Sequence, residues 1–385
     1  MAVDPSRVFF LLRSHFEEKC RQVEASEEFT STEVELALQI IDMSTTVPHV
    51  YVGEYDFCEL GQRMSQNLYF QGIQLLRALL SLIGILSCGA LLFSKISSVI
   101  LHAHPRILIK YHLFTSLLLS VHYLWLSVFE LLRYNRPVSN SCDFLMPRWL
   151  SFSPHFITGC LIYSQIFGCL VFTIERLVCT SRIRTYENSE YKASLVFGLF
   201  LMTAAIICCS FYVLAYQADW SVKLFYLSFK DWSNFNLATT FVFVQFCGDL
   251  LTLILCKSVD SVNSRIQRQF VKWSLGAKYT FIDNQLSSKL QIRENIVLSQ
   301  TWMPIIGVHF LCTAFSCLII SVCMFTLSHN IYYSIIISES SSVLFTIYSI
   351  ITPILIFKKH QNLFWSLAEK WFDQMLEQKK MPSKL

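Results

Sequence analysis

Seven apolar runs dominate the sequence, at residues 73–93, 111–132, 152–174, 193–216, 235–256, 299–327 and 332–357. Each is long enough to cross about 30 Å of hydrocarbon as a helix of roughly 20 residues, and polar connectors separate them. An odd number of crossings places the two termini on opposite sides of a bilayer. After the seventh run, Phe364, Ala368, Trp371, Phe372 and Met375 share one side of a helix and Glu369, Lys370 and Asp373 the other. That is the pattern of a short amphipathic helix lying on a membrane surface, with a plain solvated tail helix as the alternative. The chain thus divides into an N-terminal segment 1–72, a seven-helix membrane domain 73–357 and a tail 358–385.

Composition agrees with lipid as the surrounding medium. Of 385 residues, 54% are apolar and 15% charged, against about 25% charged in a soluble domain, and the mean hydropathy is +0.46. The cysteines at 88, 160, 169, 208, 209, 247, 256, 312, 317 and 323 lie inside apolar runs, where a free thiol behaves as a small hydrophobe.

Charge then gives the expected orientation. Connectors one, three and five and the tail hold 20 basic residues, among them Lys95, Arg176, Arg184, Lys257, Arg293 and Lys358; the connectors on the other side hold five, Arg133, Arg136, Arg148, Lys223 and Lys230. Basic residues flanking spans stay in the cytoplasm, so the N terminus is expected outside and the tail inside. Residues 1–72, with 12 acids against five bases, are long enough to translocate regardless of charge. The Val8–Leu12 run is too short for a signal peptide and lacks a basic region before it, so the first span is expected to act as signal anchor. The string Asn67-Leu-Tyr-Phe-Gln-Gly72 looks like a protease site used in engineered chains; we read it as coincidence.

An enzyme in a membrane would gather a nucleophile, acid–base groups or metal ligands at one depth. The sequence has no His-Glu-x-x-His, Gly-x-Ser-x-Gly, phosphate-loop or Cys-x-x-Cys pattern, so we expect no catalysis, metal or cofactor, and no nucleic-acid partner. His102 and His104, beside Pro105, are expected in a solvated loop. Charge inside a span is costly and marks a functional candidate. Arg77, Glu130 and Glu339 fall toward the outer ends of spans one, two and seven, with snorkelling to the interface as their alternative role. Asp249 lies deeper, where an internal hydrogen bond is expected. Glu130, His122, Tyr123 and Glu339 are the candidates for an outer ligand pocket; Trp125, Tyr163 and Gln165 rank below them as interface anchors.

Three motifs sit at fixed places relative to the spans: Cys142-Asp143-Phe144-Leu145-Met146-Pro147 before the third, Ile174-Glu175-Arg176-Leu177-Val178-Cys179-Thr180 at its far end, and Leu286-Ser287-Ser288-Lys289-Leu290-Gln291-Ile292-Arg293-Glu294-Asn295 before the sixth. In order and placement this trio resembles the nematode serpentine receptors of the alpha superfamily, nearest the alpha/beta and epsilon classes, over residues 73–365. Cys179 stands where that pattern usually has Ala, and Leu290 where an aromatic usually precedes Gln. The resemblance implies an all-α seven-transmembrane-helix bundle of GPCR type, with an extracellular N-terminal segment and a short cytoplasmic amphipathic helix. It also implies a chemosensory receptor for a small-molecule ligand, in the plasma membrane and sensory cilium of a neuron, coupled to a heterotrimeric G protein.

Glu175 and Arg176 are the candidate signalling switch, because a receptor with two packings needs a breakable contact at the inner end of its bundle; a charge stop flanking the span is the plain alternative. Trp302-Met303-Pro304 lies too near the cytoplasm to meet a ligand, and Pro304 and Pro353 read as kink sites. Cys142 lies outside near the third span, and its possible partners are Cys58, Cys20, Cys208 or Cys209. A seven-span transporter or ligand-gated channel is the competing function.

Overall fold

The computed structural model describes residues 57–94, 103–181, 192–215, 220, 223–224, 235–276, 282–326 and 331–380, and each apolar run falls on a helix. A short helix α1 (Phe57–Gln66) comes first; then α2 (Leu68–Phe93), α3 (Ala103–Asn135), α4 (Arg148–Ser181), α5 (Lys192–Ala215), α6 (Phe235–Gly276), α7 (Ile282–Thr326) and α8 (Ile331–Lys380). Helices α2 to α5, α7 and α8 each contain a described stretch long and apolar enough to cross a membrane, and α6 carries the fifth run. The chain forms a GPCR-type helical bundle.

Helix α2 shows why these elements assemble as they do. Leu75, Leu76, Leu79, Leu82, Ile83 and Leu86 are exposed, whereas Gln74, Arg77 and Ser81 are buried. In water this arrangement would be inside out. In lipid it is the stable one, because a polar group facing hydrocarbon has no partner there and must find one inside the bundle. The helix starts at Asn67, whose side chain caps Phe70 N at 2.9 Å and whose Nδ2 donates to Tyr332 Oη at the start of α8. The residues that look like a protease site are therefore a helix cap and first turn.

Helices outlast the apolar runs. Residues 257–298, expected as a connector, instead extend α6 to Gly276 and begin α7 at Ile282. Charge ends the hydrocarbon-compatible stretch, but Lys257 to Leu275 and Ile282 to Leu298 contain no Pro or Gly to end a helix. By the same logic α8 runs unbroken to Lys380, so the amphipathic tail segment continues the seventh span instead of forming a separate element; the side chains of 359–380 lie outside the described residues. His104 departs from expectation as well: with Pro105 it occupies the first turn of α3, where the missing proline N–H costs nothing, and it is buried at 7% exposure. His102 lies outside the described residues.

The bundle closes on small residues and on one aromatic stack. A Cβ on Gly84 of α2 would meet Ser120 Oγ of α3 at 2.6 Å and Ser349 Cβ of α8 at 3.6 Å, the small-residue contact that lets membrane helices approach closely. Deeper, Trp302 of α7 stacks on Phe172 of α4 with ring centroids 4.3 Å apart, within a core that also holds Leu119, Ile305, Ile306 and Tyr348.

Chain direction puts the starts of α2, α4 and α8 and the end of α3 at one end. There Cys58 of α1 is disulfide-bonded to Cys142, in the 3₁₀ turn Ser141–Phe144 between α3 and α4. Beneath the bridge, Met64, Phe70, Tyr134, Phe144 and Ile336 form a second apolar cluster. The two-residue strand β1 (Met146–Pro147) pairs antiparallel with β2 (Lys223–Leu224) from the α5–α6 connector. We call this the bridged end, and the end carrying Arg176 the far end.

Gly84→Ala should lower the thermal midpoint of detergent-purified protein by the equivalent of about 1–3 kcal/mol, and adding Ser120→Ala should recover part of the loss; absence of any recovery would place the contact elsewhere. Removing the bridge by Cys142→Ser, or reducing it in the wild type, should each lower the same midpoint. The crosslink spans 84 residues of sequence, for which loop closure sets a ceiling of about 4.5 kcal/mol.

Candidate functional site

At the bridged end a tight cavity lies between Phe70, Gln74 and Arg77 of α2, Leu126 and Glu130 of α3, His155 of α4, and Ile335 and Glu339 of α8. Arg77 is its centre. Only 1% exposed, it donates from Nε to Ser127 Oγ at 2.7 Å, from Nη1 to Glu339 Oε2 and Ser342 Oγ at 2.8 Å each, and from Nη2 to Gln74 Oε1 at 2.5 Å. The guanidinium also lies over the Tyr123 ring, 5.5 Å from its centroid. A long apolar helix can carry this residue because α3 and α8 supply the acceptors, and removing one partner of such a buried pair costs about 3–5 kcal/mol. A second pair sits beside it: Glu130 Oε2 accepts from Arg133 Nε at 3.0 Å and Nη2 at 2.5 Å, and Arg133 Nη1 donates to Phe144 O at 2.8 Å, which ties the cavity wall to the bridged turn.

Midway along the bundle the polar groups pair off again. His112 of α3 bonds Tyr348 Oη of α8 at 2.6 Å and packs edge-on against Trp302. His309 Nδ1 of α7 lies 2.9 Å from Asp249 Oδ2 of α6, the internal hydrogen bond expected for that aspartate. The His309 ring is also edge-on to Tyr348, with centroids 4.7 Å apart.

At the far end Arg176 is 2% exposed and pairs with its neighbour Glu175 through Nε and Nη2, at 2.5 Å each, with its guanidinium 5.7 Å from the centre of the Phe172 ring. One turn on, Thr180 Oγ1 donates to Asn263 Oδ1 of α6 at 2.7 Å, and Asn295 Nδ2 of α7 donates to Thr180 Oγ1 at 2.6 Å, to Asn263 Oδ1 at 3.2 Å and to the Arg176 carbonyl at 3.3 Å. Three side chains and one backbone carbonyl from three helices thus share one knot. Asn263 Nδ2 and Asn295 Oδ1 have no partner among the described residues.

The sequence candidates separate in space. Glu130 and Glu339 line the cavity. Tyr123 is buried beneath Arg77, and His122 faces away: its Nε2 donates to Pro154 O at 2.7 Å and its ring stacks on Trp125. Glu175 and Arg176 are paired at the far end as described. Arg77, a charged candidate on sequence grounds, is the hub, while Gln74 had only the signal of a polar residue three positions before it in an apolar run. Asn263 was hidden because its helix read as connector, and Asn295 carried its signal within a motif without a partner to name. Cys142 takes Cys58 as its partner in the structure.

A family profile described as serpentine type 7TM GPCR receptor class ab chemoreceptor matches residues 56–379. The chain is also 25% identical over 262 residues to "Serpentine receptor class alpha/beta-14" from Caenorhabditis elegans, an alignment that covers 66% of this chain and 63% of the relative's own length. The family match begins where the described bundle begins, at α1, and runs through α8, taking in the bridge, the cavity and the knot. The chain is a multi-pass membrane protein that belongs to the serpentine seven-transmembrane chemoreceptor family.

Proposed function

We propose that the chain is a chemosensory receptor that takes a small external ligand into the cavity at the bridged end and answers through a heterotrimeric G protein at the far end. The observation that carries this reading is that α4 builds both places: His155 lines the cavity and Arg176 and Thr180 belong to the knot. At 1.5 Å per residue the two regions are about 30 Å apart, as sensing and signalling sites on opposite sides of a bilayer must be. Cavity, bridge and knot all fall within the family match, and receptors, not enzymes, make up that family.

Two independent features support an outward-facing bridged end. A disulfide persists in an oxidising compartment, and the connectors and tail on the opposite side hold 20 basic residues in the sequence, against five in the connectors on this side. The plasma membrane, in a sensory cilium, is the setting. Class alpha/beta is the subclass we adopt, since both the matching profile and the C. elegans relative carry that label. Glu175 and Arg176 act as the switch with the Thr180–Asn263–Asn295 knot, which holds α4, α6 and α7 in the resting packing. Segments 176–192 and 257–295 supply the basic face that meets the G protein. A ligand shifts this balance only by its difference in affinity for the two packings.

In cells carrying the receptor and a calcium or cyclic-nucleotide reporter, Arg176→Ala should abolish signalling while surface expression persists; unchanged signalling would remove Arg176 from the switch. Asn295→Ala loses the hydrogen bonds that join α7 to α4 and α6, and should raise ligand-independent signalling roughly five- to tenfold. Lower basal signalling with normal surface levels would mean that the knot belongs to the active packing. Tags at the two termini of unpermeabilised cells test orientation: only the N-terminal tag should be reached by antibody, and a reachable C-terminal tag would overturn the topology.

A further inference from the structure

The hydrogen-bonding inventory of the cavity defines the chemistry of what fits it. Arginine only donates, so the Gln74 side chain must turn Oε1 toward Arg77 Nη2, which it meets at 2.5 Å. That forces its amide nitrogen the other way. Gln74 Nε2 is buried and has no partner among the described residues, although the residue, 1% exposed, lines the cavity. Glu339 supplies the complement. Its Oε2 is taken by Arg77, while Oε1 stands 3.7 Å from His155 Nε2, beyond hydrogen-bond range, on a side chain that keeps 15% of its surface exposed. A donor without a partner among the described residues and an acceptor without a hydrogen bond thus belong to two residues that line the same space.

The charges, by contrast, are already spent. Arg77 pairs with Glu339 and Arg133 with Glu130, so the arginines and glutamates of the region offset one another before any ligand arrives. A carboxylate would meet two glutamates and an arginine whose bonds are made; an ammonium would bring a charge that no unpaired carboxylate awaits. Uncompensated charge is costly in a low-dielectric site. The walls of Phe70, Leu126 and Ile335 favour an apolar remainder, and the tightness of the space between them limits it to a few heavy atoms.

Resting on the receptor reading above, we infer that the ligand is a small uncharged molecule carrying an acceptor and a donor close together, a hydroxyketone or a primary amide, whose oxygen accepts from Gln74 Nε2 and whose O–H or N–H donates to Glu339 Oε1. Gln74 and Glu339 are its specificity-determining residues.

Thermal unfolding of the detergent-purified full chain tests this, with acetoin and butyramide as neutral bifunctional probes, methyl ethyl ketone as acceptor alone, and butyrate and butylammonium as charged ones. Acetoin or butyramide should raise the unfolding midpoint and the charged probes should not. Gln74→Leu should weaken the acetoin or butyramide effect by about tenfold in concentration or more. Glu339→Gln keeps an oxygen for Arg77 and places a donor where Oε1 stood, so it should reverse the preference toward methyl ethyl ketone. Both variants are first compared without probe, so that a general loss of stability is not taken for a loss of binding. Stabilisation by butyrate or butylammonium that disappears in both variants would overturn the ligand class and leave the cavity as the site. Stabilisation by any probe that neither variant alters would overturn the cavity as the site, and with it the reading on which the inference rests. No stabilisation by either neutral bifunctional probe would overturn the inference itself.

Discussion

Hydrocarbon offers no hydrogen bonds, and that single fact organises this molecule. Every polar side chain within the spans must be answered inside the protein, by its own helix or by another, and where another helix answers, the two are joined on that face. The answers fall in three layers. Arg77 with Glu339 and Glu130 with Arg133 occupy the bridged end, the His112–Tyr348 and His309–Asp249 contacts the middle, and Arg176, Thr180, Asn263 and Asn295 the far end. Apolar packing around Trp302 and Phe172 fills the space between the lower two. Removing the lipid constraint would remove the reason for this layering, since each of these groups could be solvated where it stands.

The layers share helices, which gives a change at one level a mechanical route to the next. Glu339 and Tyr348 both lie on α8, nine residues apart; Tyr348 touches His309 and His112; His309 and Asn295 both lie on α7, one of the three helices of the knot. A ligand that alters how α8 is held at Arg77 therefore acts on a helix already packed against α7. Contiguity of this kind is a path, and energetic coupling along it requires that the layers have two arrangements of similar free energy.

Much of the fold was legible in the sequence because its strongest determinant, apolar length, is a local property. The spans, their order and the polarity of their connectors follow from runs of about 20 apolar residues. Helix ends were less legible: at Lys257 and Leu298 the apolar run stops while the helix goes on, since nothing there opposes helical backbone. His104 was misplaced for a related reason, as a proline nearby suggests a loop unless it occupies a first turn. Of the site, charged residues in spans announced themselves singly. Their pairings could not be read, because Arg77 and Glu339 are 262 positions apart and only the packed bundle brings them together. Neutral amides were hardest of all: Gln74 and Asn263 carry no charge penalty to flag them, and their importance lies wholly in what faces them.

On the receptor reading proposed above, the far-end knot is where such amides would matter to a protein with two states. Asn263 Oδ1 accepts from both Thr180 and Asn295, yet Asn263 Nδ2 and Asn295 Oδ1 remain without partners among the described residues. Each buried orphan costs about 1–3 kcal/mol, which offsets much of what the hydrogen bonds of the knot contribute. A fully satisfied network would fix α4, α6 and α7 in one packing too firmly for a ligand's modest differential affinity to displace it. A network that binds three helices while leaving one donor and one acceptor unanswered keeps the alternative packing within a few kcal/mol, since any shift that lets water or a partner's polar backbone reach the two orphans recovers part of the cost. On the receptor reading proposed above, the incompleteness of the knot would allow the same contacts both to hold the resting state and to release it.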